Sequence, residues 1–217
     1  MRATGGLGDG SGMWTRTLLL ALAFGFAATP SGAAELKKSY SYFTIGGRTV
    51  EEIEKELNTR GPQVVSTGHR HPGATRMEFK SQIKYGERKG RCIVADARVS
   101  VDARIILPRW NQRAKSEQDV RLIWNTLSDD IRRHEESHVV IARNHARELE
   151  AALEAIEPQR DCAKAQQKAR DVTAAVLEKH DLAQQRFDRI EGINFESRLL
   201  RLLEYRLERI QSGRLAE

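Results

Sequence analysis

Cysteine is scarce. Only Cys92 and Cys162 occur in 217 residues, and neither lies in a C-x-x-C pair, which argues against a thiolate zinc site. No internal repeat or low-complexity tract appears, which removes solenoids and repetitive linkers. Long apolar runs are also missing. The best is Leu18–Ala28 (LLLALAFGFAA), well short of the roughly 20 apolar residues that an ordinary membrane span needs. The formal net charge is +6, but the basic residues are scattered through segments equally rich in glutamate. A nucleic-acid footprint requires clustering on one face, so no nucleic-acid partner is expected.

The short apolar run has a different meaning. Arg16 precedes it, and Ser31, Gly32, Ala33 and Ala34 follow. A basic flank, an apolar centre and a small-residue stop describe a secretory signal peptide. The expected leader is 1–34, with Met13 a better-looking start than Met1; the alternative is an uncleaved anchor. Cleavage places the protein in the periplasm or outside the cell, with no membrane span. In an oxidising compartment an even cysteine count predicts a Cys92–Cys162 bridge, stabilising by roughly 4 kcal/mol in the chain-entropy picture.

The remainder reads as a β part followed by an α part. Tyr40–Ile45 is a short strand. Thr49 with Glu52 three residues on is a capping box, opening a helix to about Asn58. Residues 63–74 look loop-like, with Val64 and Val65 as a possible short strand. Apolar residues then alternate with polar ones from Thr75 to Tyr85 and from Ile93 to Leu107. That period of two marks strands with one buried face, joined as a hairpin across 86–90. The second strand is long enough to bend or bulge.

Helical spacing follows: Val120, Ile123, Trp124, Leu127 and Ile131, then Ala142, Leu149, Leu153 and Ile156. Ser116 with Asp119 resembles a cap. An unbroken helix over 117–157 would be roughly 60 Å long, so a second start at Ser128 is expected. Pro158 stops the run, and helices resume at Cys162 with a break near 192–194. The expected fold is α+β: a small antiparallel sheet of three or four strands packed on a zincin-like helix. Residues 35–160 form that domain, and 161–217 form a helical tail packed on it.

The chemistry lies in that helix. Residues 134–138 read His-Glu-Glu-Ser-His. Histidines four apart stand one turn apart on the same helix face, close enough to share a zinc ion. Here both fall on the apolar stripe, where two partnerless histidines would be costly. Glu135, rotated about 100° from His134, is placed as general base toward a water acidified by the metal, and later as donor to the leaving amine. His145 is on the same face, but seven residues amount to roughly 10 Å of rise, too far for the same ion. A third ligand is therefore expected from the tail: Asp188 or Glu191, with His180 as a further candidate. Tyr205 and Arg198 are candidate oxyanion stabilisers.

These residues carry a resemblance. The chain is similar, over roughly Tyr40–Asp188, to a bacterial family of predicted secreted zinc-dependent proteases, a domain of unknown function known for its H-E-x-x-H. The matching pieces are Gly47-Arg48-Thr49, Gly61-Pro62, Cys92, Leu107-Pro108 with Trp110, the His134–His138 motif and Cys162. The resemblance implies metal binding by His134 and His138 and catalysis by Glu135. Many members carry Tyr-Asp-x-x-Thr-x-His-Gly after the second cysteine. This chain reads Phe187-Asp188-Arg189-Ile190-Glu191-Gly192-Ile193-Asn194, keeping the aspartate and placing Ile193 where the histidine stands. The expected activity is zinc-assisted hydrolysis of a peptide or protein substrate, for which an exposed sheet edge offers strand addition. The other reading is a non-catalytic periplasmic module that keeps the fold and a structural metal.

Overall fold

The computed structural model describes residues 34–64 and 68–215. The expected leader therefore lies outside the described residues, Ala34 apart, as does Val65. No helix among the described residues is long and apolar enough to cross a membrane.

Three strands form one sheet: β1 (Glu35–Ile45), β2 (Ala74–Arg88) and β3 (Arg91–Trp110), in the order β1-β3-β2. β2 and β3 are the expected hairpin, closed by Lys89 and Gly90, both at positive φ (52° and 72°). Two left-handed residues in a two-residue loop match the right-handed twist of the flanking strands. The register slips between Lys84 and Tyr85, leaving Ala95 as the extra residue in β3.

The sheet is mixed, not antiparallel as expected. β1 runs parallel to β3, with Glu35 opposite Ser100 and Ile45 opposite Trp110. The reason is the connection. A parallel pair needs a long crossover, and helix α1 (Val50–Arg60) and the whole of β2 intervene before β3 begins. The α1 start is as read: Thr49 Oγ1 accepts from the Glu52 amide at 3.3 Å, and the Glu52 carboxylate accepts from the Arg48 amide at 2.6 Å.

The alternation in β3 sorts its two faces. Ala97, Val99, Val101, Ala103, Ile105 and Leu107 are all buried. The intervening residues face outward, where Asp96 pairs with Lys84 and Asp102 with Lys80. The buried face meets helix α2 (Gln118–Glu154). Ala142 and Ala146 let the helix approach, while Leu149 and Leu153 are fully buried, worth roughly 2–3 kcal/mol each in apolar burial.

Helix α2 is continuous over 37 residues, about 55 Å, and does not restart at Ser128. The Ser128 hydroxyl donates to the Asn125 carbonyl within the helix at 3.2 Å instead of capping a new one. Ser116 is not the cap either; the helix starts after Glu117 without a side-chain cap. The length is sustained because different partners cover its two halves. Trp124 joins Ile45, Ile53, Leu57 and Trp110 in one core at the first half, and Leu149 and Leu153 join β3 and α3 at the second. Helix α3 (Cys162–Ile193) opens on Asp161, whose side chain accepts from the Lys164 amide at 2.8 Å. Helix α4 (Phe195–Gln211) follows the expected break.

Cys92 and Cys162 are disulfide-bonded, with Cα atoms 5.1 Å apart. Beside the bridge, Cys92 and Gln159 exchange both backbone hydrogen bonds, at 2.9 and 2.8 Å. The start of β3 is thereby fastened to the start of α3, and α3 then runs back along α2.

Candidate metal centre

The antiparallel return of α3 brings Asp188 over His134 and His138. Nε2 of His134 and Nε2 of His138 are 3.1 Å apart. Asp188 Oδ1 lies 3.3 Å from the first and 3.0 Å from the second. Three ligand atoms on a tetrahedron with bonds near 2.1 Å stand about 3.4 Å apart, so this triangle is close to that required for a single small cation. Two imidazoles and a carboxylate suit zinc and other divalent ions of similar preference. Among the described residues this is the one group of histidine, cysteine or acidic side chains with such convergence. His138 is largely covered, whereas the Asp188 side chain is about half exposed (54%), leaving one side of the triangle accessible.

Of the two expected carboxylates, Asp188 joins the group. Glu191 stands behind it: its Oε2 is 3.6 Å from His134 Nδ1, and it pairs with Arg133 and Arg198. His145 is not part of the group; its Nδ1 faces Glu148 at 3.0 Å. His180 is buried and contacts Gln184 and Asp181. Ile193 is exposed (77%), and the triangle closes without it. Tyr205 lines a separate cleft between α2 and α4. Arg198 does line the central cleft, but its guanidinium is committed to Asp130 and to Glu191.

Glu135 is buried at 5% exposure. Thr75 Oγ1 donates to its carboxylate at 2.7 Å. Burial pushes its pKa up; the Thr75 hydrogen bond and the two histidines offset part of that rise. Asp188 goes the other way. Its partial burial favours the neutral form, but hydrogen bonds to His134 and His138 outweigh this and hold it well below the usual carboxylate range. Burial alone would lower His138, yet hydrogen bonds to Asp188 and Gln184 leave it raised. The Phe187 ring stacks on His134, with centroids 5.0 Å apart, and meets His138 edge-on.

A cleft of about 260 Å³ opens here, lined by His71, Pro72, Ile131 and Phe195 together with Glu135 and Asp188. Several of these escaped the sequence reading. His71, Pro72 and Gly73 sit in a segment that reads as plain loop. A Cβ on Gly73 would lie 2.8 Å from Glu135 Oε1, so the close approach of the loop explains that glycine. Gln184 and Phe187 had a usable signal: with His180 and Asp188 they recur at intervals of three and four along α3, on the side facing α2.

A family model described as "Bacterial protein of unknown function (DUF922)" matches residues 40–196. No curated protein and no solved structure matches the chain.

Proposed function

The chain belongs to this bacterial family of unknown function, and from that premise we propose that it is an exported zinc-dependent peptidase. In this reading His134, His138 and Asp188 hold the ion and Glu135 is the general base. The observation that carries the reading is the pairing of a near-tetrahedral three-atom triangle with a buried carboxylate on the same cleft. Residues 1–34 act as the leader, 35–160 carry the zincin-like centre, and the tail from 161 supplies the third ligand. The expected leader and the Cys92–Cys162 bridge favour an oxidising compartment.

Zinc, when bound, supplies Lewis-acid polarisation of the scissile carbonyl and acidifies water. The protein's own contribution is proton handling and positioning. Glu135 accepts a proton from the attacking water as the new C–O bond forms, and gives it to the departing amine nitrogen as the C–N bond breaks. Burial raises its proton affinity toward the working pH, which suits both halves of that task. Thr75 holds the carboxylate in place. Pro72, Ile131 and Phe195 form an apolar wall for an adjacent substrate side chain.

The test uses the exported protein, freed of adventitious metal and reloaded with zinc. Wild type is expected to bind about one equivalent and to cleave an unfolded protein substrate until a chelator is added. Glu135→Gln is expected to retain zinc and lose turnover by about 10²–10⁴-fold. His134→Ala is expected to lose both. Unchanged hydrolysis in Glu135→Gln removes the peptidase assignment; zinc binding without hydrolysis in wild type leaves the non-catalytic metal module.

A further inference from the structure

Helix α3 presents His180, Gln184 and Asp188 to α2 at intervals of four residues. Asp188 belongs to the ligand triangle, but the other two form a chain behind it. Gln184 Oε1 lies 2.6 Å from His138 Nδ1. Its Nε2 lies 3.1 Å from the His138 carbonyl oxygen and 2.8 Å from His180 Nε2. His180 Nδ1 in turn lies 3.0 Å from Asp181 Oδ1. His180 is buried at 6% exposure, its ring edge-on to Phe79 at 4.9 Å.

The protons in this chain are fixed by elimination. A backbone carbonyl only accepts, so the amide NH₂ of Gln184 must face the His138 carbonyl. Its oxygen is then the atom on His138 Nδ1, and that nitrogen must carry a hydrogen. The Nε2 of His138 is thereby turned toward the triangle, where it meets the Asp188 carboxylate at 3.0 Å as a donor until a cation takes the place of that hydrogen. The second amide hydrogen of Gln184 points at His180 Nε2, which must accept. His180 therefore carries its hydrogen on Nδ1, toward the Asp181 carboxylate. Turning the amide over would set oxygen against the His138 carbonyl.

We propose that Gln184 is a positioning residue of the metal centre, holding His138 in the Nδ1–H tautomer and ring orientation that present Nε2 to a cation, and that His180 locks the Gln184 amide in the required sense. The proposal rests on the metal-centre reading. Outer partners of this kind orient a ligand imidazole and set its basicity. Here the partner is a neutral amide fixed by a buried histidine, so the orientation carries no added charge.

Two measurements test it. The first is zinc affinity by competition with a chromophoric chelator. Gln184→Leu keeps the bulk and removes the hydrogen bonds, and is expected to weaken zinc binding by about 10–100-fold. Gln184→Glu retains an acceptor for His138 Nδ1–H but sets its second oxygen against the His138 carbonyl, and is expected to recover only part of that loss. The second is long-range ¹H–¹⁵N NMR of metal-free protein at about pH 9, above the ordinary histidine range, which reports each ring nitrogen separately. Wild type is expected to show a hydrogen on His138 Nδ1, and Gln184→Leu to lose it in favour of Nε2–H alone, which faces the Asp188 carboxylate. Should Gln184→Leu fail to fold, His180→Phe, which keeps the ring against Phe79, is expected to shift the same tautomer signal. A His138 Nδ1 without a hydrogen in wild type would overturn the proposal, as would wild-type zinc affinity in Gln184→Leu. Failure of wild type to bind zinc would instead strike the metal-centre reading, while the metal-free spectrum still decides the role of Gln184.

Discussion

The Nε2 atoms of His134 and His138 stand 3.1 Å apart, with a single oxygen of Asp188 completing the triangle. Lone pairs set this close on two rings repel unless a proton or a cation lies between them. The arrangement therefore favours a shared positive centre, and Asp188 supplies the opposing charge. Glu191 sits one step further out, already paired with Arg133 and Arg198. Asp188→Ala is expected to weaken zinc binding by more than the roughly 10–100-fold typical of an outer partner, and Glu191→Gln by no more than that range. Titration of both variants with zinc checks the order; the reverse ranking would make Glu191 the ligand.

Gly73 gives a second prediction. A methyl group there would meet Glu135 Oε1 at 2.8 Å and Ile131 Cγ2 at 2.9 Å. The carboxylate is held by Thr75 and Ile131 is buried, so neither moves freely. Gly73→Ala is expected to cost about 1–3 kcal/mol, as overpacking does, and to lower the proposed turnover by displacing Glu135. The His134–His138–Asp188 triangle involves other atoms, so the zinc binding proposed for it should be unchanged. Wild-type turnover in Gly73→Ala would show that the position of Glu135 does not matter.

Much of this arrangement was legible in the sequence, and the misses share a cause. The period of two in 93–107 located β3 and its buried face, because alternation is a local property. The pairing of β1 is not local. Nothing within Tyr40–Ile45 says whether its partner runs with or against it, and the crossover through α1 and β2 makes it parallel. Helix α2 exceeded its expected length because α1 and α4 cover its first half, which no pattern within 118–154 discloses. The convergence of His134 and His138 was foreseeable because two histidines four apart on one helix have fixed spacing. Choosing Asp188 over Glu191 needed the angle at which α3 returns. Both residues face α2, and only the docking decides which of them reaches the histidine tips.

The disulfide should matter for stability more than for the existence of the fold. Cys92 and Cys162 are 70 residues apart in sequence, and closing such a loop stabilises by about 2–5 kcal/mol. The Cys92–Gln159 backbone pair involves no sulfur atom, so the junction is expected to survive loss of the bridge. The double variant Cys92→Ser with Cys162→Ser is expected to fold but to unfold at a clearly lower urea concentration. An unchanged midpoint would show that the bridge contributes nothing beyond that backbone pair.

Acid sensitivity should centre on Asp130. This carboxylate is 4% exposed and accepts from Arg198 Nε at 3.1 Å and from Arg133 Nε at 2.9 Å. Arg198 also reaches the Glu191 carbonyl at 3.2 Å, so the cluster fastens α4 and the end of α3 to α2 beside the cleft. Burial alone would raise the Asp130 pKa; the hydrogen bonds from Arg198 and Arg133 outweigh it and hold the carboxyl below its usual value. The folded state thus binds a proton at Asp130 less readily than the unfolded chain does. The stability this provides is fully present above the unfolded pKa of about 3.9, and is lost as pH falls through the lower folded value. Asp130→Asn removes the charge and leaves Arg198 partly unmatched, with an expected cost of about 3 kcal/mol at neutral pH. Because protonated aspartic acid resembles asparagine, the gap between wild type and variant should narrow below about pH 4. His180, whose burial lowers its own pKa, weakens both proteins alike below about pH 6.5 and cancels from the difference. Urea unfolding of the pair from about pH 7 to about pH 3 tests this; a gap that stays constant across the range would mean that the ionised Asp130–Arg198 pair does not hold the helices together.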